Sequence, residues 1–350
     1  MSTGLVYHKD FVKHCPYPGN PEVPERVTAT YDHFREAGLL DKLALLTPEP
    51  CSPDDITMVH SREHYDYVEY TSETGYPDDA VLNTDVYVCG DTCYAALLAA
   101  GGVMLGGESV WKGEVDNCFG LVRPPGHHAG LYRPAGFCYF NNTAITIKHL
   151  QQAHGLGRVA VFDWDAHCGN GTMEVFYDDP SVLTISAHQD PRSFYPGTGF
   201  VEQRGEGEGE GYCLNIPLQA GAGDADFMRV IEELVVPKVR EFGPDMLFVG
   251  AGQDSHRDDI ISGLQVTDEG YSAMTAGMME LAGEVCNGRL FLVLEGGYNL
   301  EKLPKTHETI VKTLMGEADA PEMSGTPLDS TVEVIDRVKH LPGTEESDLG

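Results

Sequence analysis

The sequence predicts an α/β protein built on a single parallel sheet flanked by helices. Three observations carry that reading. First, short apolar runs without alternation recur at residues 159–162, 182–188, 245–250 and 290–294. An alternating run would have one wet face; a continuous run is covered on both, as strands of a parallel sheet are. Second, segments of helical length separate the runs, which is the rhythm of βα units. Third, the runs end on polar groups: Asp163, Asp165 and His167 after the first, Asp254 after the third and Tyr298 after the fourth. Parallel α/β sheets hold their ligands beyond the carboxyl ends of the strands.

Taken in order, residues 5–7 make a short first strand, and a proline-set loop at 20–26 leads into a helix over 25–37. Glu25 falls in its first turn, where negative charge is favoured, and Arg26 reads as an ordinary surface residue of a helix start. A second helix covers 62–71, and 75–91 is an acidic loop. Residues 92–106 are small and apolar, which suits a buried helix, although the double glycine at 101–102 weakens it. A strand-like run stops at Pro124-Pro125-Gly126 and delivers His127 and His128. Loop follows over 130–142, then a helix over 143–154, the strand 159–162, a short helix over 172–177 and the strand 182–188. An aromatic turn at 194–199 and a mobile Gly/Glu loop at 205–211 precede a strand over 213–217. The helix over 225–242 is long and amphipathic, with Pro237 expected to disturb it. After the run at 245–250, Thr267 caps the next helix, with Gly270 an early weak point. The run at 290–294 and a final helix over 303–315 follow. No repeat or linker stands out, so the expectation is one domain over 1–316 and an acidic, loosely ordered tail over 317–350.

Hydrophobic residues make up 41% of the 350, enough for a large core. Acidic residues number 55 against 23 basic ones, a formal charge of −32. That argues against a nucleic-acid-binding surface, which needs clusters of Lys and Arg. Apolar segments throughout argue against a disordered acidic chain. Acid spread this evenly resembles the surfaces of proteins from salt-accumulating organisms, so a halophilic source is expected. A cationic substrate would be steered in at low salt and hardly at molar salt. Nine scattered cysteines without a paired CxxC framework fit a reducing cytoplasm. The N-terminus lacks a signal-like apolar region, and the longest apolar run, 95–107, is too short to span a bilayer. A cytoplasmic location without a membrane partner is therefore expected; oligomeric state is left open.

Residues i and i+2 of an extended segment share a face, so Asp165 and His167 aim at one point. A carboxylate and an imidazole so aimed suit Zn²⁺, with Asp163 beside them as support. Alone, Asp-x-His is better explained by a capped strand end before an Asn170-Gly171 turn, and tandem histidines equally well by a surface loop. Convergence of four strand ends decides between the readings. Together they supply three zinc ligands (Asp165, His167, Asp254), an open fourth position, a nearby base and the hydroxyl of Tyr298, the make-up of a catalytic zinc site.

These residues resemble those of the histone deacetylase superfamily, particularly its class II branch and acetylpolyamine amidohydrolase relatives. The matching pieces are Arg123-Pro-Pro-Gly-His-His-Ala, Gly136-Phe-Cys-Tyr-Phe-Asn-Asn, Asp163-Trp-Asp-Ala-His-Cys-Gly-Asn-Gly-Thr, Ser193-Phe-Tyr-Pro-Gly-Thr-Gly, Gln253-Asp254 and Leu294-Glu-Gly-Gly-Tyr-Asn-Leu, in family order. The resemblance implies the arginase–deacetylase fold and zinc on Asp165, His167 and Asp254, polarising an amide carbonyl and acidifying a water. It implies that His128 is the general base and that His127, held by Asp163, is its electrostatic partner. Asn170 falls where other branches carry an aspartate supporting the second histidine, and a neutral Asn makes His128 less basic than an Asp would. Tyr298 would donate to the oxyanion. Phe137 and Tyr195 would wall a narrow channel, and the Gly136 carbonyl would accept the amide N–H. A structural monovalent-cation site, K⁺ in a potassium-rich cytoplasm, would use Asp163, Asp165, the His167 carbonyl, Ser186 and the Ala187 carbonyl.

The chain departs from the family pattern at Cys168, where a second His is usual, and at Gln253, usually aromatic. It departs also at Asn20, often His, and at Tyr195, commonly Phe. Cys168 is expected beside the metal rather than on it. The implied activity is removal of acetyl groups from acetyl-lysine in proteins or peptides. The nearest alternative keeps the mechanism and takes acetylated polyamines or other acetylated amines. Polyamine-selective relatives carry a rim Glu seven residues after the third ligand; here Ile261 stands there and cannot pair with a secondary ammonium. A non-catalytic acetyl-lysine binder would be expected to lack Tyr298 or a ligand. A ureohydrolase of the related fold would need a two-metal, Asp-richer cluster.

Overall fold

The apolar runs pair into one eight-stranded, all-parallel sheet in the order β2-β1-β3-β8-β7-β4-β5-β6. The strands are β1 (Thr3–Val6), β2 (Ala44–Leu46), β3 (Asn117–Gly120), β4 (Val159–Asp163), β5 (Val182–Gln189), β6 (Cys213–Leu218), β7 (Met246–Gly250) and β8 (Leu290–Val293). This computed structural model describes residues 1–74, 86–318, 321 and 323–341; most of the expected loop 75–91 and parts of the tail lie outside them. Strands β3, β4, β7 and β8 are buried along their whole length, as their unalternating sequences require. They are also consecutive in the sheet. Their carboxyl ends therefore lie side by side, and each continues into one of the polar clusters.

The helices are α1 (Glu25–Glu36), α2 (Pro53–Ile56), α3 (Arg62–Thr74), α4 (Thr92–Trp111), α5 (Asn142–His154), α6 (Asn170–Val175), α7 (Asp224–Val230), α8 (Val236–Phe242), α9 (Asp268–Val285), α10 (Leu303–Leu314) and α11 (Asp329–Lys339). Helix α4 runs five residues beyond the expected end and packs on α5, β1 and β3. By length and apolarity alone it could cross a bilayer, but 67% of that apolar stretch is buried inside the protein. Its glycines are not a flaw. A Cβ on Gly101 would come 2.1 Å from the Glu49 carbonyl oxygen, so glycine lets the 49–51 backbone lie against the helix. The expected helix over 225–242 is α7 and α8 joined by one π-helical turn, Ile231–Val235, immediately before Pro237. A widened turn absorbs the missing N–H and the ring. Thr267 caps α9 by accepting from Gly270 N–H at 3.1 Å.

Two expectations of looseness are revised. The Gly/Glu loop at 205–211 is pinned, with Glu206 N–H donating to Tyr177 O at 2.8 Å and Gly211 N–H to Arg204 O at 2.7 Å. Within the acidic tail, α11 packs against β6 and α7, burying Val334, Ile335 and Val338. Asp226 ties it down by accepting from Leu328 N–H and Thr331 Oγ1.

Candidate active site

Asp165 and His167 follow β4, and Asp254 follows β7. Their ligand atoms lie within 4.8 Å of one another, and all three residues are buried. His167 Nδ1 sits 3.0 Å from Asp165 Oδ1 and 2.9 Å from Asp254 Oδ2. The carboxylates are held by backbone donors: His167 N–H and Gly296 N–H for Asp165, Ala166 N–H for Asp254. Two facing buried carboxylates cannot both stay charged without a cation. Burial and the neighbouring Asp165 push Asp254 up to about 7, although His167 opposes them. Burial works against the charge on His167 too, but hydrogen bonds to both aspartates raise it to about 9. Two oxygens and an imidazole nitrogen around a point that needs positive charge fit a divalent metal.

The tandem histidines arrive from the loop after β3 and do not ligate this point. Their rings lie 4.0 Å apart and diverge in character. His127 Nδ1 pairs with Asp163 Oδ2 at 2.9 Å. Burial disfavours its charge, but Asp165, Asp163 and Glu295 hold it well above the ordinary imidazole range. His128 Nδ1–H donates to Asn170 Oδ1 at 2.6 Å. Burial, then His127 and His167, hold His128 well below that range. One imidazolium beside one neutral imidazole separates an electrostatic group from a base. Asp163 also accepts from Asp165 N–H at 3.0 Å, so it braces both the histidine and the ligand loop.

Arg26 overturns the surface reading. It is completely buried, pairing with Glu22 at 3.0 Å and donating to the carbonyls of Gly297 (2.7 Å) and Glu295. Its guanidinium lies 4.9 Å over the Tyr298 ring, a cation–π contact that fixes the tyrosine from behind. Tyr298 is buried, and burial pushes its phenol well above 10, so it stays a proton donor. Glu22 also takes Arg123 at 2.7 Å. None of Arg26, Glu22, Arg123 and Glu295 was assigned a role from the sequence. Glu295 was visible in Glu-Gly-Gly-Tyr, and it accepts from Gly126 N–H (2.8 Å) and His127 N–H (3.1 Å), orienting the histidine loop.

Phe137 and Tyr195 flank the site. The Phe137 ring meets Tyr298 edge-on at 5.9 Å, and Tyr195 meets His128 edge-on at 5.0 Å. Gly136 has φ +52°, and a Cβ there would lie 2.2 Å from His128 Cδ2, so only glycine lets its backbone approach the base. Phe194, not singled out in sequence, stacks on His167 at 4.5 Å. Ile261 is half-buried on the loop after β7. Its N–H donates to Asp259 Oδ1 at 3.0 Å, while Asp259 Oδ2 accepts from Tyr298 N–H at 2.7 Å. That shared carboxylate places Ile261 on the Tyr298 side of the site. Ser186 is the register partner of Asp163 and contacts His188 Nδ1 at 2.8 Å; Ala187 follows it in β5. Cys168 Sγ turns to Asn215 Oδ1 and lies outside the ligand triad. Gln253 turns away, its Oε1 accepting from His307 Nε2 at 2.8 Å.

A parallel sheet whose adjacent strand ends gather a metal-binding triad, a split histidine pair and a buried tyrosine defines a hydrolase. The family described as "Histone deacetylase domain" matches residues 20–314, and the chain belongs to that family. It is a deacetylase, acting on an amide bond. A "Probable deacetylase" of Archaeoglobus fulgidus is 43% identical over 319 residues, 90% of this chain and 87% of that one. "Histone deacetylase 15" of Arabidopsis thaliana is 37% identical over 334 residues, covering 94% of this chain and 58% of that one. "Polyamine deacetylase HDAC10" of Homo sapiens is 38% identical over 348 residues, 96% of this chain and 51% of that one. The chain thus spans little more than half of the plant and human relatives. The solved structure of the HDA15 HD domain superposes with a TM-score of 0.89 at 35% identity, covering 97% of this chain and 93% of that one.

Proposed function

We propose that the protein is a zinc-dependent deacetylase that removes acetyl groups from Nε-acetyl-lysine in proteins or peptides. The observation that carries the reading is the gathering of Asp165, His167 and Asp254 around one point, with the His128 ring edge-on to His167 at 5.6 Å and the Tyr298 phenol close enough to feel the charge of Asp254 and Asp165. A zinc ion held by the triad would supply Lewis acidity to the amide carbonyl and acidify a water. His128, neutral and with Nδ1–H engaged by Asn170, offers Nε2 to take the water's proton. Hydroxide adds to the acetyl carbon, and Tyr298 donates to the resulting oxyanion. His128 then returns the proton to the leaving nitrogen as the C–N bond breaks, giving acetate and the amine. His127, cationic against Asp163, balances negative charge that develops beside it. Phe137 and Tyr195 bracket the alkyl chain, and the Gly136 carbonyl accepts the amide N–H.

Ile261 favours lysine over polyamine. It offers no charge to a secondary ammonium at that position of the rim. A K⁺ ion at Asp163, Asp165, the His167 carbonyl, Ser186 and the Ala187 carbonyl is part of the same proposal, supported by the adjacency of Asp163 and Ser186 in the sheet. The nine unpaired cysteines support a reducing, cytoplasmic setting, and the acidic surface a halophilic one.

Acetate release, measured in molar KCl on an acetyl-lysine peptide and on N-acetylputrescine, tests the substrate. The peptide is expected to turn over faster. Faster release from the amine would move the assignment to acetylpolyamines, the activity named for the human relative.

A further inference from the structure

We infer that the protein carries a second transition-metal site, built by Glu108, His149 and His154 and separate from the catalytic triad. Glu108 stands near the end of α4; His149 lies in the second half of α5, and His154 ends it. One carboxylate oxygen, Glu108 Oε1, is approached by His149 Nε2 at 2.7 Å and by His154 Nε2 at 3.2 Å. All three ligand atoms fall within 4.8 Å of one another. Two ligand atoms on one tetrahedral zinc sit roughly 3.3 Å apart, from bond lengths near 2.0 Å. Both Glu–His spacings are already at or inside that value. The side chains are 19–25% exposed, so an ion can enter from solvent.

Asp55 gives an independent indication. Its Oδ1 lies 3.8 Å from His149 Nδ1, the ring nitrogen facing away from Glu108. Its Oδ2 is fixed by Ser52 N–H and Oγ in the capping box of α2. At 3.8 Å this is an electrostatic contact rather than a hydrogen bond, and it puts negative charge behind the far nitrogen of His149, on the side from which a metal-binding imidazole is supported. Lys112 occupies the other oxygen of Glu108, which leaves Oε1 for the ion and reduces the net charge it meets. Two imidazoles and a carboxylate select borderline divalent ions, zinc among them, over magnesium or calcium. Bound there, the ion would tie α4 to α5, with α2 behind it. His149 is seven residues along α5 from Asn142, roughly 10 Å of helix rise, and neither helix contributes to the catalytic triad.

The test is zinc content by elemental analysis of the full chain after dialysis against micromolar free zinc. His149→Ala/His154→Ala should bind one zinc per chain fewer than wild type, with acetate release unchanged. Asp55→Asn, which removes the charge behind His149, should weaken that equivalent. Equal zinc in wild type and the double variant would overturn the site. Should the double variant fold poorly, His154→Ala at the exposed helix end makes the same comparison. Asp254→Ala reports on the catalytic triad separately, so the two assignments stand or fall independently.

Discussion

His128 Nδ1–H donates to Asn170 Oδ1 across 2.6 Å, which fixes the tautomer and leaves Nε2 as the free base. Burial, His127 and His167 depress the basicity of this imidazole, and a neutral Asn restores little of it. Asn170→Asp would put a full negative charge at the same contact and raise the pKa of His128. The base works only when unprotonated, so the acid limb of kcat/KM must move to higher pH. Profiles of the two forms check this; an unmoved limb, or one shifted to lower pH, would remove His128 as the base.

Tyr298→Phe should keep its metal and lose about 10²–10³ in turnover, the usual scale for one oxyanion donor. The substitution is a clean one because the Arg26 guanidinium can lie over a phenyl ring as well as a phenol. Zinc content and single-turnover rates read it out. Turnover near the wild-type rate would take Tyr298 out of the chemistry.

The sheet and the ligand loops were legible because their cause is local. A covered strand needs continuous apolar residues, and Asp165 and His167 share a face by backbone geometry alone. Arg26 was not legible. An arginine at a helix start carries no local sign of burial, and its carbonyl partner on Gly297 is 271 residues away. The same holds for Glu22, whose partner Arg123 comes from another strand end. Helix α11 was obscured because Val334, Ile335 and Val338 form a short apolar stripe in an acidic segment, and only β6 and α7 give it something to cover. Tyr195, expected at a channel wall, lies edge-on to His128 at 5.0 Å, while its neighbour Phe194 adds a stack on His167 that the sequence does not announce, because nothing local says which way each of two adjacent aromatics turns.

Glu22 supports the site from beneath, and its loss should be costly. Burial alone would raise its pKa, but Arg123 and Arg26 bring it down to about 2. Glu22→Gln leaves two buried guanidiniums without their counter-charge, a loss of roughly 3–5 kcal/mol. A denaturation midpoint close to wild type would contradict the pairing. The depressed pKa means this stability is present above the unfolded value near 4.5 and is lost as pH falls toward 2.

Buried neutral histidines should make the fold sensitive to milder acid. Burial lowers His14, His60 and His307 to about 3. Unfolded, each titrates near 6.5, so between about 3 and 6.5 the unfolded chain binds more protons and stability rises with pH. Moving from about pH 7.5 to 5.5 should cost roughly 4 kcal/mol for the three together. Raised groups such as Asp254 and His167 pull the other way over the same window, so the check is the pH dependence of the urea midpoint in wild type against His307→Gln; an equal pH dependence in the two would contradict the neutral, buried state of that ring.

The most direct test of the central claim is to strip the protein with a chelator, restore zinc stepwise, and follow acetate release in wild type and Asp254→Ala. Wild type should lose activity on stripping and regain it as zinc returns. Asp254→Ala should lack one zinc equivalent and stay inactive throughout. Full turnover by the stripped protein, or an Asp254→Ala variant with wild-type zinc and wild-type rate, would contradict the claim that Asp165, His167 and Asp254 hold the metal on which deacetylation depends.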